Sequence, residues 1–351
     1  MTCILATVSP AMAARTQRLL KGWPTVSLGF SGKNVVLAES TAPRILPGGY
    51  TIFRTDTFRL RLTGDRLNGR VTPDIVFRTS AGQTTGGPIF GDTTGRYIII
   101  ATGRGFPVQP VFCCTSTPRD IPLEPDGRTN APKTIAATLD GPVAHYVLAN
   151  PDGTHTFVSY TVSDDPGQPL FQRIARPLTG DVPSLAAMAP GILATVDAAT
   201  GKSIRLTTTS SAIYDPLGEL ILPPQAGVVK RLHVTRSMVV ALLRTTSGFQ
   251  LVRMDAPLWK PAVIWRGTRP PALTAAGDRT VVFATEHLVT QSVPGRKREL
   301  LRLRGKIVAL ATDGRRVAIA NRSQRGKPRK TAIIVASVLQ PPGVYSSAGA
   351  S

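Results

Sequence analysis

The sequence has few of the side chains that catalytic and metal sites usually need. It holds 351 residues but only four His, three Cys and 21 Asp plus Glu. Cys113 and Cys114 are adjacent and Cys3 is distant, so there is no Cys-x-x-Cys pair, disulfide framework or Cys/His spacing typical of zinc. We therefore predict buried or idle thiols, no metal site and no cofactor; a redox or metal role for the cysteines is the alternative.

Sequence motifs for catalysis are also missing. The chain contains no Gly-x-Ser-x-Gly and no His-Glu-x-x-His, and its Gly-rich stretches do not complete a phosphate-binding or dinucleotide-binding loop. His145 and His233 fall within apolar segments, which favours a core position for both. We assign no catalytic residue. A hydrolase or lyase whose acidic and basic residues meet only at the mouth of a folded channel is the alternative to a non-catalytic protein.

Long hydrophobic runs are absent. No uncharged apolar run reaches the ~18 residues of a membrane-spanning helix, so we expect no integral membrane segment. Hydrophobic residues still make up 42% of the chain, which is enough for a sizeable core. The 32 Gly and 30 Pro favour many turns and few long helices, and Ala13–Leu20 is the one candidate helix.

The N-terminus carries a hint of export. Residues 4–14 form a short apolar stretch that ends in Ala11-Met12-Ala13, a pattern typical of signal cleavage. No basic region precedes this stretch, so the interpretation needs a start upstream of Met1, and a frayed terminus or a first strand is the alternative. We predict export to the medium or the cell envelope, and a cytoplasmic location if the segment is not a truncated signal.

One pattern recurs seven times: an apolar stretch, a turn near its middle, then a β-rich apolar stretch. Each copy occupies thirteen residues without a gap, its tenth position is always apolar, and its middle favours a tight chain reversal. The starts are 36–62 residues apart, with a mean of about 47. The copies are VSLGFSGKNVVLA (26–38), PIFGDTTGRYIII (88–100), TIAATLDGPVAHY (134–146), SLAAMAPGILATV (184–196), RLHVTRSMVVALL (231–243), ALTAAGDRTVVFA (272–284) and VALATDGRRVAIA (308–320).

This spacing predicts an all-β fold, a single seven-bladed β-propeller over residues 23–340, because one blade is a four-stranded sheet of about 40–50 residues. Six blades is the alternative, since the first interval is irregular. Only one clear strand, 331–338, follows the last copy. We therefore expect a strand from before residue 26 to complete the last blade and close the ring. Residues 1–22 are the remaining N-terminal segment, and residues 341–351 are expected to form a flexible tail.

The copies resemble the repeats of TolB-like and WD40-like β-propellers. Residues 313–320, DGRRVAIA, are similar to the TolB-like repeat in which Asp-Gly precedes a basic residue and alternating apolar positions. Residues 277–284, GDRTVVFA, are a degenerate copy of it. The Gly-His and Trp-Asp dipeptides of WD40 repeats are missing, so the resemblance implies the fold and no functional residue.

Positive charge is concentrated near the C-terminus. The chain has a net charge of +21, and residues 291–330 contain thirteen Lys or Arg against two acidic residues. This window has no aromatic residue, which disfavours base stacking with single-stranded nucleic acid. We predict one electropositive sector over residues 296–330 that binds polyanions weakly and without sequence selectivity; a solvated surface is the alternative. The predicted binding residues are Arg296, Lys297, Arg298, Arg322, Arg325, Lys327, Arg329 and Lys330.

These patterns together predict a monomeric, basic, non-catalytic propeller that serves as a binding or interaction scaffold. Its partner is expected to be a protein or a polyanionic ligand, and nucleic-acid binding is not expected to be sequence-specific. Two long stretches between the repeats, residues 39–87 and 103–132, are candidate binding loops because such loops on a rigid scaffold commonly carry function.

Overall fold

A computed structural model describes most of the chain, and every regular element in it is a β-strand. The all-β prediction is therefore confirmed. The candidate helix over Ala13–Leu20 is wrong at residues 17–18, which are a strand. The described residues are 17–18, 25–32, 34–40, 57–63, 75–78, 89–91, 97–100, 109–113, 119–121, 133–162, 171–178, 183–209, 216–222, 227–322 and 331–338.

The strands are numbered here in chain order. They are β1 (Gln17–Arg18), β2 (Thr25–Ser31), β3 (Asn34–Ser40), β4 (Thr57–Thr63), β5 (Ile75–Arg78), β6 (Ile89–Gly91), β7 (Tyr97–Ile100), β8 (Gln109–Cys113), β9 (Arg119–Ile121), β10 (Lys133–Asp140), β11 (Val143–Ala149), β12 (His155–Val162), β13 (Phe171–Pro177), β14 (Pro183–Ala189), β15 (Ile192–Asp197), β16 (Ser203–Thr208), β17 (Pro216–Ile221), β18 (Val228–Thr235), β19 (Met238–Thr245), β20 (Gly248–Asp255), β21 (Lys260–Gly267), β22 (Leu273–Gly277), β23 (Thr280–Thr285), β24 (Leu288–Val293), β25 (Arg296–Arg302), β26 (Lys306–Thr312), β27 (Arg316–Arg322) and β28 (Thr331–Ser337).

Within the described residues these strands form seven four-stranded antiparallel sheets, which we call blades 1–7. Blades 1–6 each take four consecutive strands, from β2–β5 to β22–β25, and we label the strands of a blade A to D in that order. Blade 7 takes β26, β27 and β28 as strands A to C. Its fourth strand is β1 from the N-terminal segment, where Gln17 pairs with Val335 and Arg18 with Ile334.

The seven A strands form a circle. Each A strand contacts the A strands of both neighbouring blades, and the circle includes the contact between β26 of blade 7 and β2 of blade 1. The B strands lie next outward, and most side chains of β11, β15, β19, β23 and β27 are buried. In β19, Val239 and Ala241 pack towards blade 4 while Val240 and Leu242 pack towards blade 6. Alternate residues of one strand thus fill two interfaces, which is why the B strands are apolar at successive positions.

The thirteen-residue repeats of the sequence correspond to the A–B hairpins of the blades. The tenth positions, such as Val35 and Val240, lie in B strands. Five A strands share a β-bulge at or next to the start of the repeat, which adds local twist at the same place in each blade. The bulged residues are Val26, Ile135, Ser184, Lys230 and Val308.

Candidate functional site

The two ends of the blades differ in how they use their charges. We call the end with the A–B and C–D turns the AB end, and the end with the B–C turns and the blade-to-blade connections the BC end. In blade 6, Gly277 pairs with Thr280 at the AB end, and Thr285 pairs with Leu288 at the BC end.

At the AB end, the A–B turns of blades 5, 6 and 7 are hydrogen-bonded to each other. The Thr235 hydroxyl of blade 5 donates to the carbonyl of Asp278 in blade 6 over 3.0 Å. The Thr280 hydroxyl of blade 6 donates to the carbonyl of Gly314 in blade 7 over 3.3 Å. The turns also touch, because a Cβ added to Gly277 would lie 2.6 Å from the Gly314 nitrogen. The A–B turns of blades 5, 6 and 7 thus form a belt that fixes these neighbouring blades.

Arg316 continues this belt from blade 7 to blade 1. Its Nη2 donates to the carbonyl of Gly32 over 2.9 Å, and its guanidinium lies 4.9 Å from the centre of the Phe30 ring. The Asp313 carboxylate accepts from Arg316 Nε at 2.9 Å and from the backbone nitrogens of Arg315 and Arg316 at 2.9 and 2.6 Å. The Asp-Gly-Arg-Arg sequence that carries the TolB-like resemblance therefore holds the blade 7–blade 1 contact.

Two more arginines at the AB end have carboxylate partners. Arg236 Nη2 lies 3.4 Å from Asp140 Oδ1, and its Nε donates to the carbonyl of Pro190, so one side chain joins blades 5, 4 and 3. The side chain of Arg253 is only 2% exposed and makes hydrogen bonds of 2.8–2.9 Å to both oxygens of Asp255. These ion pairs neutralise much of the charge at this end.

The structure does not bring the predicted polyanion-binding residues together. Arg296, Lys297 and Arg298 begin β25 at the AB end of blade 6, where Arg296 pairs with Val293. Arg322 ends β27 at the BC end of blade 7. The two ends of a seven-residue strand are about 20 Å apart, against a screening length of about 8 Å at physiological salt. The expected single sector is therefore divided between opposite ends, and Arg325, Lys327, Arg329 and Lys330 lie outside the described residues.

The three predicted residues of β25 are also partly used in packing. Arg298 donates from Nε to Gln291 Oε1 over 3.2 Å, and burial lowers the pKa of its guanidinium, with the charge of Arg296 acting in the same direction. The ammonium of Lys297 lies 5.8 Å from the centre of the Phe283 ring. Arg296 is exposed.

The BC end of blades 5–7 carries a broad set of basic side chains that the sequence window did not reveal. They come from strand ends and connections of three blades, so no contiguous stretch contains them. Among the described residues of these blades, nine Lys or Arg lie towards this end, with Glu286 and Glu299 as the acidic residues. We call this surface the basic BC face; its basic residues are Lys230, Arg231, Arg244, Arg266, Arg269, Arg302, Arg304, Lys306 and Arg322.

The side chains of the basic BC face are mostly exposed. Eight of the nine are exposed and Arg322 is half-buried. The one ion pair within the described part of this face joins Arg302 to Glu299 at 3.2 Å, with both side chains in water, where such a pair contributes little. Arg231 donates to the carbonyls of Pro271 and Ala272. The charge of this face is therefore available to an external anion.

The histidines lie in separate places. His145 is buried between blades 3 and 4, where its Nδ1 is 2.8 Å from Ser159 Oγ, and burial lowers its pKa against the opposing charge of Asp140. Burial also lowers the pKa of His233 to about 4. His287 Nδ1 is 2.8 Å from the Gly305 carbonyl oxygen in the blade 6–blade 7 connection. No group of three or more His, Cys, Asp or Glu suited to a metal ion occurs among the described residues.

Several sequence-based expectations fall largely outside the described residues. Cys3 and Cys114 are among them, as are most of the long stretches 39–87 and 103–132. Within the part of the chain that the structure describes, no helix has the length and apolar character needed to cross a bilayer.

Comparisons with known proteins identify the fold. No family model matches the sequence, and no curated protein matches it significantly. The β-propeller domain of Cps50 (Swd1) from Myceliophteria thermophila matches 92% of this chain and 100% of its own, at 11% identity and a TM-score of 0.56. A chain of a mitotic checkpoint complex matches 97% of both chains at 9% identity and a TM-score of 0.52.

A third similar structure is PorZ, a bacterial surface component of the type IX secretion system of Porphyromonas gingivalis. It matches 93% of this chain but only 39% of its own, at 11% identity and a TM-score of 0.51. Identities this low carry the fold and no activity. The predicted resemblance is confirmed at that level: the chain has a WD40-like β-propeller fold.

Proposed function

We propose that this propeller is a non-catalytic binding scaffold whose basic BC face holds an extended polyanion bearing phosphate or sulfate groups. The observation that supports the proposal is the set of nine basic residues at the BC end of blades 5–7, eight of them exposed. Only Arg302 among them has a carboxylate partner in the described residues. Among the described residues of blades 5–7, the AB end has a similar number of basic residues, but three of its arginines are paired with Asp.

Electrostatic attraction without sequence selectivity follows from this arrangement. Exposed Lys and Arg displace the counterions that surround a polyanion, so the affinity falls steeply with salt. The aromatic residues of this region do not offer a stacking surface, because Phe249, Trp265 and Phe283 pack between blades 5 and 6. The ligand is therefore a duplex or a charged polysaccharide rather than a single strand read by base stacking.

We also propose that the protein is exported and is a monomer. β1 begins shortly after Ala13, so cleavage at the Ala11-Met12-Ala13 pattern would leave the fourth strand of blade 7 in the mature chain. An exported basic propeller would meet charged polymers outside the cytoplasm.

Matched charge variants test the proposal. The BC variant changes Arg266, Arg269 and Arg304 to Ser, and the AB variant changes Arg279, Arg296 and Arg315 to Ser. All six side chains are exposed, so both variants remove three positive charges without disturbing a buried contact. We expect the BC variant to elute from immobilised heparin at clearly lower salt than the parent, and the AB variant to elute close to the parent. Equal losses in the two variants would contradict a face-specific site.

A further inference from the structure

We infer that the basic BC face contains one defined oxyanion site, in which Arg322 and Thr331 of blade 7 bind a single phosphate or sulfate group at the contact with blade 1. This inference rests on the proposed function and names the group within the polyanion that the face recognises.

Three polar residues form a row across blade 7 at its BC end. Arg322 of β27 pairs with Lys306 of β26 on one side and with Thr331 of β28 on the other. Directly paired residues of antiparallel strands place their side chains on the same face of the sheet, with Cβ atoms about 5 Å apart. Two of the three, Arg322 and Thr331, are thus close enough to contact one tetrahedral oxyanion, with the ammonium of Lys306 beside it.

This face of blade 7 is the one that packs against blade 1. Further along the same strands, Ala320 and Ile333 pair with each other and pack in the cluster that includes Leu28 and Val35 of blade 1. The row therefore lies at the BC edge of an apolar interface, where water is largely excluded.

Two donors in the row are buried and have no partner in the part of the chain that the structure describes. Thr331 is 3% exposed, and neither its Oγ1 nor Arg322 Nε makes a hydrogen bond to any described residue. Buried polar groups are nearly always paired, and leaving a buried donor unpaired carries a clear free-energy penalty. Since Arg Nε can only donate and a Thr hydroxyl can donate, an acceptor-rich anion satisfies both groups at once.

The contrast with Arg253 shows why the missing acceptor points to an external ligand. At the AB end, the buried guanidinium of Arg253 is met by both oxygens of Asp255 and by the carbonyl of Ser292. At Arg253 the fold itself thus supplies a carboxylate to a buried guanidinium, whereas no described residue accepts from Arg322 Nε. Asn321, whose Oδ1 is also buried and unpaired, pairs with Ile307 and lies on the opposite face of β27, so it is not part of the site.

Inorganic phosphate and inorganic sulfate are the probes, each titrated into the full chain by calorimetry at low salt. We expect Thr331→Val to weaken anion binding by about tenfold, because one hydrogen bond to a charged group is lost. Arg322→Gln should abolish anion binding. Thr331→Ser keeps the hydroxyl and should bind the anion as the parent does. The control is Thr209→Val, because Thr209 is also buried with an unpaired hydroxyl but lies at the AB end of blade 4. Its affinity should equal that of the parent.

The outcomes separate this site from the proposed function. No anion binding by the parent, or equal binding by Thr331→Val and the parent, would overturn the site even if the BC variant still loses heparin retention. Conversely, anion binding that depends on Thr331, with heparin retention unaffected in the BC variant, would support the site and overturn the extended face. The anion that binds more tightly identifies the group that the site recognises in the polyanion, since duplex DNA supplies phosphate and heparin supplies sulfate.

Discussion

Among the described residues of blades 5–7, the AB and BC ends carry similar numbers of basic residues, but these residues differ in their partners. At the AB end, Arg236, Arg253 and Arg316 each have an Asp partner, and the paired side chains join neighbouring blades or fix a turn. At the BC end of blades 5–7, one exposed pair, Arg302–Glu299, is the only ion pair among the described residues. The partner of a charge, rather than the amount of charge, thus distinguishes the structural AB end from the BC end that we propose binds a polyanion.

Among the expected effects, the largest is the difference in the free energy of unfolding between a variant that lacks the acidic partner at the AB end and one that lacks it at the BC end. Asp255→Ala leaves the buried Arg253 guanidinium without its carboxylate, and we expect the free energy of unfolding to fall by about 3 kcal/mol. Glu299→Ala removes the exposed BC pair and should change it by less than about 1 kcal/mol. Urea unfolding of both variants measures the difference. Equal effects would mean that the AB pair is not structural.

The turn belt at the AB end predicts a smaller but clear steric effect. In Gly277→Ala, the new Cβ would lie 2.6 Å from the Gly314 nitrogen and 2.8 Å from the Thr312 oxygen, both backbone atoms of blade 7. We expect a loss of about 2 kcal/mol, the usual cost of overpacking. Gly295→Ala is the control in the same blade, since its Cβ would meet nothing within 4 Å and only the positive φ of 69° opposes it.

Thermal and urea unfolding would rank the two glycine variants. The account predicts that Gly277→Ala loses more stability than Gly295→Ala, because blade 7 cannot move away without breaking the belt. The reverse order would show that the turns of blades 6 and 7 are not held together.

Lowering the pH should reduce the stability of the protein through a buried histidine between the two ends. This is the smallest of the expected effects on stability. Burial lowers the pKa of His233 from its ordinary value of 6.5 to about 4, and the nearby charge of Arg231 acts in the same direction. The folded protein therefore prefers neutral His233. Stability from this group is complete above about pH 6.5 and is lost progressively as the pH falls towards 4.

His233→Gln removes this titration. Urea unfolding at several pH values between 7 and 4 should show a shallower decline for His233→Gln than for the parent. An identical decline in both proteins would show that His233 is already protonated or solvated in the fold.

The sequence predicted the blades well because their signal is local. An apolar stretch, a tight turn and a second apolar stretch are what one A–B hairpin needs, so each repeat could be recognised without knowledge of the others. The need for a strand from before residue 26 followed from blade 7 having one strand too few, and β1 occupies that place. The helix expected over Ala13–Leu20 was wrong at β1, because pairing with β28 outweighs the local helical pattern.

The charged surface could not be located from the sequence because antiparallel strands reverse the chain at every turn. Residues 296–298 and 322 lie close in sequence, yet the register of β25 and β27 places them at opposite ends. Conversely, Lys230, Arg269 and Arg304 come from different blades and meet at one end only in the fold. Thr331 gave no signal at all, since a single threonine becomes notable only when its burial and its partners are known.

The salt dependence of duplex DNA affinity tests the central claim most directly. For duplex DNA, the logarithm of the affinity falls with the logarithm of salt concentration with a slope of about 0.9 per phosphate contact. The account predicts that the BC variant, Arg266, Arg269 and Arg304 to Ser, reduces this slope by up to about 2.7, while the AB variant, Arg279, Arg296 and Arg315 to Ser, leaves it unchanged. Equal reductions in the two variants, or a reduction in the AB variant alone, would contradict a polyanion site at the BC end.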